Sequence, residues 1–251
     1  MLFRSDGGVA GRLGRQAGWT ADFAQMRTKL LASGWNEVLA QSKQRLDADE
    51  ARRADVLKCG TSAADAGCLV TVRYLAQVGR SGVPEDVFAQ ILAGFEVATA
   101  DARVVGINLV QPEDSPVSVR DFALHMRMID YLRPLYPKAH VTLHAGELSS
   151  DLVPPEVLRA HIRDSVRVGH AERIGHGTAV MQEADPYGLL KNLAAKKVLV
   201  EINLASNDLI LGVRGARHPL RTYLQQGVPV AIATDDRSEE HTSELQSRFG
   251  I

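Results

Sequence analysis

The sequence predicts an α/β fold with a parallel sheet, and three observations lead to this prediction. Short apolar or β-branched runs recur along the 251 residues, spaced roughly 25–37 residues apart, which is the length of a strand plus its crossover helix. Amphipathic segments lie between these runs, and several begin at a proline, which suits the first turn of a helix. The strand runs are almost continuously apolar, as expected for strands that helices cover on both faces.

The elements follow in alternating order after a long segment of helical character, Ala21–Leu57, which is rich in Ala, Gln, Lys, Arg and Leu. The amphipathic segments have apolar residues at helical spacing. The predicted strands are Leu69–Tyr74, Val104–Leu109, Val141–Leu143, Arg173–Ile174, Val198–Ile202 and Val228–Ala233. The predicted helices between them are Pro84–Ala100, Val119–Tyr136, Pro154–Val168, Pro186–Lys196 and Pro219–Gln226.

Polar and ionisable residues cluster directly after the strand runs, and this favours a barrel over an open sheet. Side chains that come from the ends of several parallel strands are typical of a (β/α)₈ barrel. The glycine-rich dinucleotide fingerprint and the P-loop are both absent from the sequence. Six strand runs are visible, so we expect an incomplete (β/α)₈ barrel with about six of its eight strands. The clusters are His144-Ala145-Gly146-Glu147, Gly175-His176-Gly177, Ser206-Asn207 and Asp235-Asp236.

The composition argues against two classes of partner. The chain has 29 Lys and Arg against 30 Asp and Glu, a net charge of −1, whereas phosphate binding needs a local excess of basic residues. Aromatic residues make up 5%, too few to favour a stacking platform for single-stranded nucleic acid. No apolar run approaches the ~20 residues of a membrane span. We therefore expect neither a nucleic acid nor a membrane as partner, and the oligomeric state stays open.

The two ends of the chain differ in character from the rest. Residues 1–5 (MLFRS) and the segment RSEEHTSELQS from residue 237 resemble translated adapter sequences from short-read DNA sequencing. The second segment follows abruptly on the apolar run VAIATDD. We expect a single domain over residues 6–236 and non-native sequence at 1–5 and 237–251; an ordinary polar tail is the alternative.

The two cysteines, Cys59 and Cys68, flank a small-residue loop, KCGTSAADAGC. Two cysteines are too few for a disulfide scaffold or a four-thiolate zinc site. They are either unpaired small residues or a loop-closing disulfide, and spacing does not choose between these. A disulfide would favour an exported protein, whereas two thiols leave the cytoplasm as the default compartment.

Three motifs carry groups suited to chemistry. In VTLHAGE, His144 offers an imidazole that can bind a metal, and Glu147 can reach the same strand ends as a proton donor. In RIGHG, glycines flank His176, and they let a ligand approach closely. In VAIATDD, Asp235 and Asp236 point to opposite faces, so the two carboxylates are expected to have different roles. Taken singly, each motif is also compatible with a structural residue, a turn or a helix cap.

Taken together and in this order, the motifs resemble those of the adenosine deaminase family of zinc-dependent amidohydrolases. The resemblance runs from about residue 6 to residue 236 and includes VRYLAQV, VVGINL, HAGE, RIGHG, EINLASN and IATDD. It implies a (β/α)₈ barrel, one Zn²⁺ ion per complete site, and hydrolytic removal of the 6-amino group of a purine nucleoside.

The resemblance also implies a role for each residue. His144 corresponds to a zinc-binding histidine, and Asp235 to a carboxylate that binds the zinc and holds the attacking water. His176 corresponds to the residue that orients or deprotonates that water. Glu147 corresponds to the acid that protonates purine N1, and Asp236 to the residue that faces purine N7.

The sequence departs from the family at several places. The family's H-x-H zinc ligands on the first strand have no counterpart, so we expect the chain as written to be a fragment and inactive. Gln111 stands where many members have a substrate-contacting glycine, and Asn203-Leu204 replaces a Cys-Pro pair, whereas Ser206-Asn207 is retained.

Three functions therefore stay open. The first is deamination of adenosine and deoxyadenosine to inosine and deoxyinosine by the parent protein. The second is deamination of adenine or another purine-containing metabolite on the same fold. The third is a non-catalytic protein derived from a barrel. Glu201 is expected to be the buried partner of a basic residue, and Arg173 is expected to take part in a structural ion pair. Surface or helix-capping roles are expected for five other histidines, which are His125, His140, His161, His170 and His218.

Overall fold

The computed structural model describes residues 2–3 and 7–235. Within these residues the chain divides into two compact units. Unit 1 holds the residues up to Pro112 together with Arg120–Val141. Unit 2 holds Glu113–Val119 and the residues from Thr142 onward.

Unit 1 is built on parallel strands that pair in chain order. The first strand pairs with the second through Leu2 and Leu75, and the second pairs with the third along its whole length. The strands are β1 (Leu2–Phe3), β2 (Tyr74–Gly79) and β3 (Val104–Val110), and the helices are α1 (Gly7–Ala17), α2 (Phe23–Leu31), α3 (Asn36–Val56), α4 (Pro84–Ala100) and most of α5 (Pro116–Leu132).

Helix α4 shows why the local sequence forms this structure. Pro84 occupies the first turn, where its missing N–H costs nothing, and Glu85 and Asp86 lie beside the positive end of the helix dipole. Ten of its residues are buried, among them Phe88 and Phe95. Burial on this scale supplies the main stabilisation of a helix that packs against a sheet.

Unit 2 repeats the arrangement, with each parallel strand pairing with its neighbour in the chain. Its strands are the last four residues of β4 (His140–Ala145), β5 (Arg173–His176), β6 (Leu199–Ile202) and β7 (Val230–Ile232), and its helices are α6 (Pro155–Leu158), α7 (His161–Arg167), α8 (Pro186–Lys196), α9 (Leu204–Leu211) and α10 (Leu220–Gln225).

The predicted parallel α/β fold is confirmed, and two predicted helices, Pro84–Ala100 and Pro186–Lys196, match the structure at both ends. The strand predicted at Leu69–Tyr74 is wrong, because the strand begins at Tyr74. Asp65 accepts a hydrogen bond from the Gly67 N–H and caps a 3₁₀ helix over Ala66–Leu69, which leaves Leu69 89% exposed. An apolar run with no sheet neighbour is thus left in solvent.

Other differences concern single residues. His125 lies on α5 and is buried, so the surface or capping role expected for it is wrong. Arg173 and Glu201 were each expected to have an ionic partner, and the structure pairs them with each other, because Arg173 Nε lies 3.2 Å from Glu201 Oε2. The structure joins Cys59 and Cys68 in a disulfide, one of the two alternatives that the sequence left open.

Within the described ranges, no helix combines the length and the apolar character needed to cross a membrane.

Candidate active site

The turn after β4 is held in place by a buried carboxylate that the sequence did not reveal as functional. Gly146 has a φ of +91°, and an added Cβ would lie 2.7 Å from a methyl carbon of Ile162, so glycine is required there. The Glu113 carboxylate accepts hydrogen bonds from the Gly146 N–H at 2.8 Å and from the Glu147 N–H at 3.2 Å. Glu113 thereby fixes the backbone that carries Glu147.

His176 is the last residue of β5, and the turn that follows it is the second turn of the site. His176 is fully buried and has a φ of +70°, a strained conformation of the kind that clusters at functional sites. The next residue, Gly177, leaves no room for a side chain, because an added Cβ would lie 2.5 Å from the Tyr223 hydroxyl oxygen. The Tyr223 hydroxyl donates to the Gly177 carbonyl at 2.6 Å and holds the turn.

Asp235, which follows β7, completes a group of three residues that could hold a metal ion. Asp235 has a φ of +60°, and its Oδ1 lies 4.0 Å from His144 Nε2 while its Oδ2 lies 3.7 Å from His176 Nε2. One donor atom from each of the three residues lies within 4.8 Å of the others. An imidazole and a carboxylate are donor types that suit zinc, so His144 and Asp235 fit the implied metal, and His176 lies beside them.

Glu147 faces the same imidazole from the other side. Its Oε1 lies 3.1 Å from His176 Nδ1 and accepts a hydrogen bond from the Ser206 hydroxyl at 3.0 Å. His176 therefore separates a carboxyl group at Nδ1 from the Asp235 carboxylate at Nε2.

Residues from the region after β6 surround His176. Asn207 Nδ2 lies 2.9 Å from His176 Nδ1, and His218 Nε2 lies 3.1 Å from Asn207 Oδ1. The Asn203 amide lies 3.4 Å from both ring nitrogens of His176. The sequence singled out Ser206-Asn207 and Asn203 as motif positions without giving them a task. Their place directly after a strand run was the signal that could have assigned them to the site.

His161 does not have the surface or capping role expected for it. It is buried, and its Nε2 lies 3.0 Å from Glu113 Oε2. Glu183 caps α7 by accepting from the Ile162 N–H at 2.6 Å, and burial raises the pKa of the Glu183 carboxyl. Two carboxyl groups and an imidazole therefore hold the start of α7 in place. The spacing of these residues along the chain did not indicate this role.

Asp236 and Gln111 were also singled out from the sequence. Asp236, predicted to contact substrate, lies outside the described residues. Gln111 in unit 1 has a φ of +80°, a left-handed conformation that glycine adopts most readily. Its side-chain Oε1 accepts a hydrogen bond from the Ser81 N–H at 2.8 Å.

Imidazoles and carboxylates at the ends of parallel strands are typical of the class of enzymes built on (β/α)₈-type barrels. A family model described as Adenosine deaminase matches residues 28–249, and the chain belongs to that family. The (β/α)₈-type fold, incomplete in the chain, is confirmed with it.

Individual relatives carry two different names. The chain is similar to an adenine deaminase from Sinorhizobium fredii (strain NBRC 101917 / NGR234), with 32% identity over 191 residues that cover 76% of this chain and 53% of that protein. It is also similar to an adenosine deaminase from Escherichia coli (strain SE11), with 38% identity over 98 residues that cover 39% and 26% of the two chains. The chain spans about half the length of the curated relatives it matches along most of its own length.

A solved structure of low sequence identity supports the fold. An amidohydrolase from Burkhoderia ambifaria, crystallised with bound Zn, matches with a TM-score of 0.53 at 16% identity, covering 91% of this chain and 59% of that one. At this identity the likeness concerns the fold alone.

Proposed function

We propose that the whole protein is a zinc-dependent aminohydrolase that converts adenosine or deoxyadenosine, with one water, to inosine or deoxyinosine and ammonia. The observation that carries the proposal is the contact of one buried imidazole, His176, with Glu147 on one side and Asp235 on the other. An acid for the purine ring and a carboxylate for the attacking water are thus within reach of one reacting centre.

His144 and Asp235 are the residues that would hold the zinc. Their donor types fit zinc, and both residues belong to the cluster that could hold a metal ion. When bound, zinc supplies Lewis acidity that makes water a strong nucleophile at neutral pH. A catalytic zinc needs about three protein ligands, and no H-x-H motif is present in the sequence, so we expect the chain as written to bind zinc weakly and to be inactive.

Glu147 acts as the general acid. In its protonated form it donates a proton to N1 of the purine, which withdraws electrons from C6 and lets water add there. Ser206 orients the carboxyl group through the hydrogen bond to Oε1, and Glu113 fixes the backbone beneath it. When ammonia leaves C6, it carries off the proton that Asp235 accepted from the water, the ring keeps the oxygen, and the second proton of the water restores Glu147.

Asp235 and His176 act on the water. The Asp235 carboxylate can hold the water and accept its proton, and the His176 ring can orient it. We further propose that Asp236 contacts N7 of the purine, as the family resemblance implies.

A second candidate substrate is adenine. The 32% identity to a protein named adenine deaminase favours it, because the match covers most of this chain. Incubation of the zinc-loaded whole protein with adenosine, deoxyadenosine and adenine in parallel, followed by ultraviolet spectroscopy, separates the candidates. Conversion of adenine alone would overturn the nucleoside assignment, and conversion of none would overturn the proposed function.

We also propose that residues 6–236 form a single domain and that the protein is exported. The Cys59–Cys68 disulfide supports export, since thiols in the cytosol are usually kept reduced.

A further inference from the structure

We propose that His218 and Asn207 are positioning residues that fix His176 as the tautomer with its proton on Nε2. His176 then presents a hydrogen-bond donor, not a base, to Asp235. The consequence for catalysis rests on the proposed function, whereas the tautomer itself does not.

The backbone N–H of Leu220 fixes the direction of the first hydrogen bond in the series that leads to His176. The Leu220 N–H donates to His218 Nδ1 at 3.1 Å, and a backbone N–H can only donate. His218 Nδ1 is therefore unprotonated, and in the neutral ring the proton lies on Nε2. His218 is 5% exposed, and burial lowers its pKa, which keeps the ring neutral at pH 7.

The side-chain amide of Asn207 connects His218 to His176 by one hydrogen bond on each side. His218 Nε2–H donates to Asn207 Oδ1, 3.1 Å away, so the oxygen of the amide must point to His218. The amide nitrogen then points to His176 and donates from Nδ2 to Nδ1 at 2.9 Å. Asn207 is fully buried, and turning its amide over would bring two donors together at His218.

His176 consequently accepts at Nδ1 and carries its proton on Nε2. That nitrogen lies 3.7 Å from Asp235 Oδ2 and belongs to the cluster that includes His144. The competing arrangement is an ion pair in which His176 Nδ1–H donates to Glu147 Oε1, 3.1 Å away. That arrangement places a donor against the Asn207 amide nitrogen, so the chain from Leu220 opposes it.

The tautomer decides which residue can take the proton of the attacking water. A nitrogen that already carries a proton cannot accept another, so His176 Nε2 can only donate. The proton that the water loses then goes to the Asp235 carboxylate, while His176 holds the water oxygen by its N–H. His218 therefore sets the roles of His176 and Asp235 although it does not touch the reacting atoms. It acts through Asn207, which contacts His176.

The test is an NMR measurement of the imidazole nitrogens in the 251-residue chain, labelled with ¹⁵N-histidine and held at pH 7.5. Long-range ¹H–¹⁵N correlations report which ring nitrogen carries the proton. The chain has eight histidines, and a His176→Gln variant assigns the signal of interest. We expect a protonated Nε2 and a bare Nδ1 at His176.

Asn207→Asp provides the decisive variant, because it has the same shape and two acceptor oxygens. One oxygen accepts from His218 Nε2–H and the other accepts from His176, so we expect His176 to gain a proton at Nδ1. Asn192→Asp, the same chemical change on an exposed residue of α8, is the matched control and should leave His176 unchanged.

Two results would overturn the proposal. One is a protonated Nδ1 at His176 in the unaltered chain, a measurement that needs no variant to fold. The other is an unchanged His176 signal in a folded Asn207→Asp protein. Absence of deamination by the zinc-loaded whole protein would overturn the proposed function but would leave the tautomer as measured.

Discussion

The strand ends of the two units use polar side chains in different ways. In unit 1 the polar groups bind backbone: Arg80 donates to the Leu109 carbonyl at 2.8 Å, and Gln90 Oε1 accepts from the Gly79 N–H at 2.9 Å. In unit 2 the corresponding positions carry His144, Glu147, His176 and Asp235, which contact one another. Strand ends thus serve the fold in unit 1 and carry ionisable groups in unit 2.

This difference indicates where chemistry can occur. A side chain whose hydrogen bonds go to buried backbone groups stabilises the fold, since those groups would otherwise be unpaired. Ionisable groups that face one another keep capacity for a ligand or a proton. A second contrast concerns two buried histidines. His125 Nε2 of unit 1 has no hydrogen-bond partner in the described part of the chain, whereas His176 of unit 2 faces an amide and two carboxyl groups.

The largest expected effect is that of Glu147→Gln in the whole protein. The amide cannot supply the acid proton, so turnover should fall about 10²–10⁴-fold while zinc is retained. The control is Glu201→Gln, which removes only the ion pair with Arg173 and should leave turnover near normal. Steady-state kinetics and metal analysis measure both, and near-normal turnover in Glu147→Gln would refute the acid role.

His125 should make stability depend on pH. Burial, helped by the charge of Arg80, lowers its pKa from 6.5 to about 4. The unfolded chain therefore binds a proton below pH 6.5 that the folded chain does not, so stability should fall as pH drops from 6.5 to 4, by up to about 3 kcal/mol. Denaturant unfolding at several pH values should show that His125→Leu loses this part of the pH dependence. An identical pH dependence in the variant would contradict the account.

Glu113→Gln tests the support of the site. The amide keeps one acceptor but turns a donor towards the Gly146 or the Glu147 N–H, so the turn should loosen. A residue that supports a site in this way typically contributes 10–100-fold to activity, and we expect that loss in kcat of the whole protein. Gln90→Glu in unit 1, which keeps an acceptor for the Gly79 N–H, should leave kcat unchanged. An unaltered kcat in Glu113→Gln would remove Glu113 from the site.

Loss of the disulfide should have the smallest effect, a decrease in stability with no change in the catalytic rate. Cys59 and Cys68 are nine residues apart, and closing a loop of this length stabilises a protein by about 2–3 kcal/mol in the chain-entropy model. Replacing both by serine should lower the free energy of unfolding by this amount without changing kcat. Thiol counting on protein prepared without reductant is the direct check, and two free thiols would remove the argument for export.

Particular residues show how far the sequence could predict this structure. The helix Pro84–Ala100 was predictable to the residue because its start signal, apolar spacing and charge placement agree. His144, His176 and Asp235 were predictable as neighbours, since parallel strands bring their carboxyl ends to one edge. The strand at Tyr74 was placed too early, because an exposed apolar run and a buried one have similar composition. Glu113 could not be assigned, since it acts through contacts distant in sequence, such as that with the N–H of Gly146.

The most direct test of the central claim is the product formed from adenosine by the whole protein supplied with zinc, measured beside an Asp235→Asn variant. We expect inosine and ammonia in equal amounts from the unaltered protein. The variant, which lacks the carboxylate that holds metal and water, should form neither at a comparable rate. Equal turnover by the two proteins, or no inosine from a folded protein that contains zinc, would contradict the assignment of catalysis to the strand ends of unit 2.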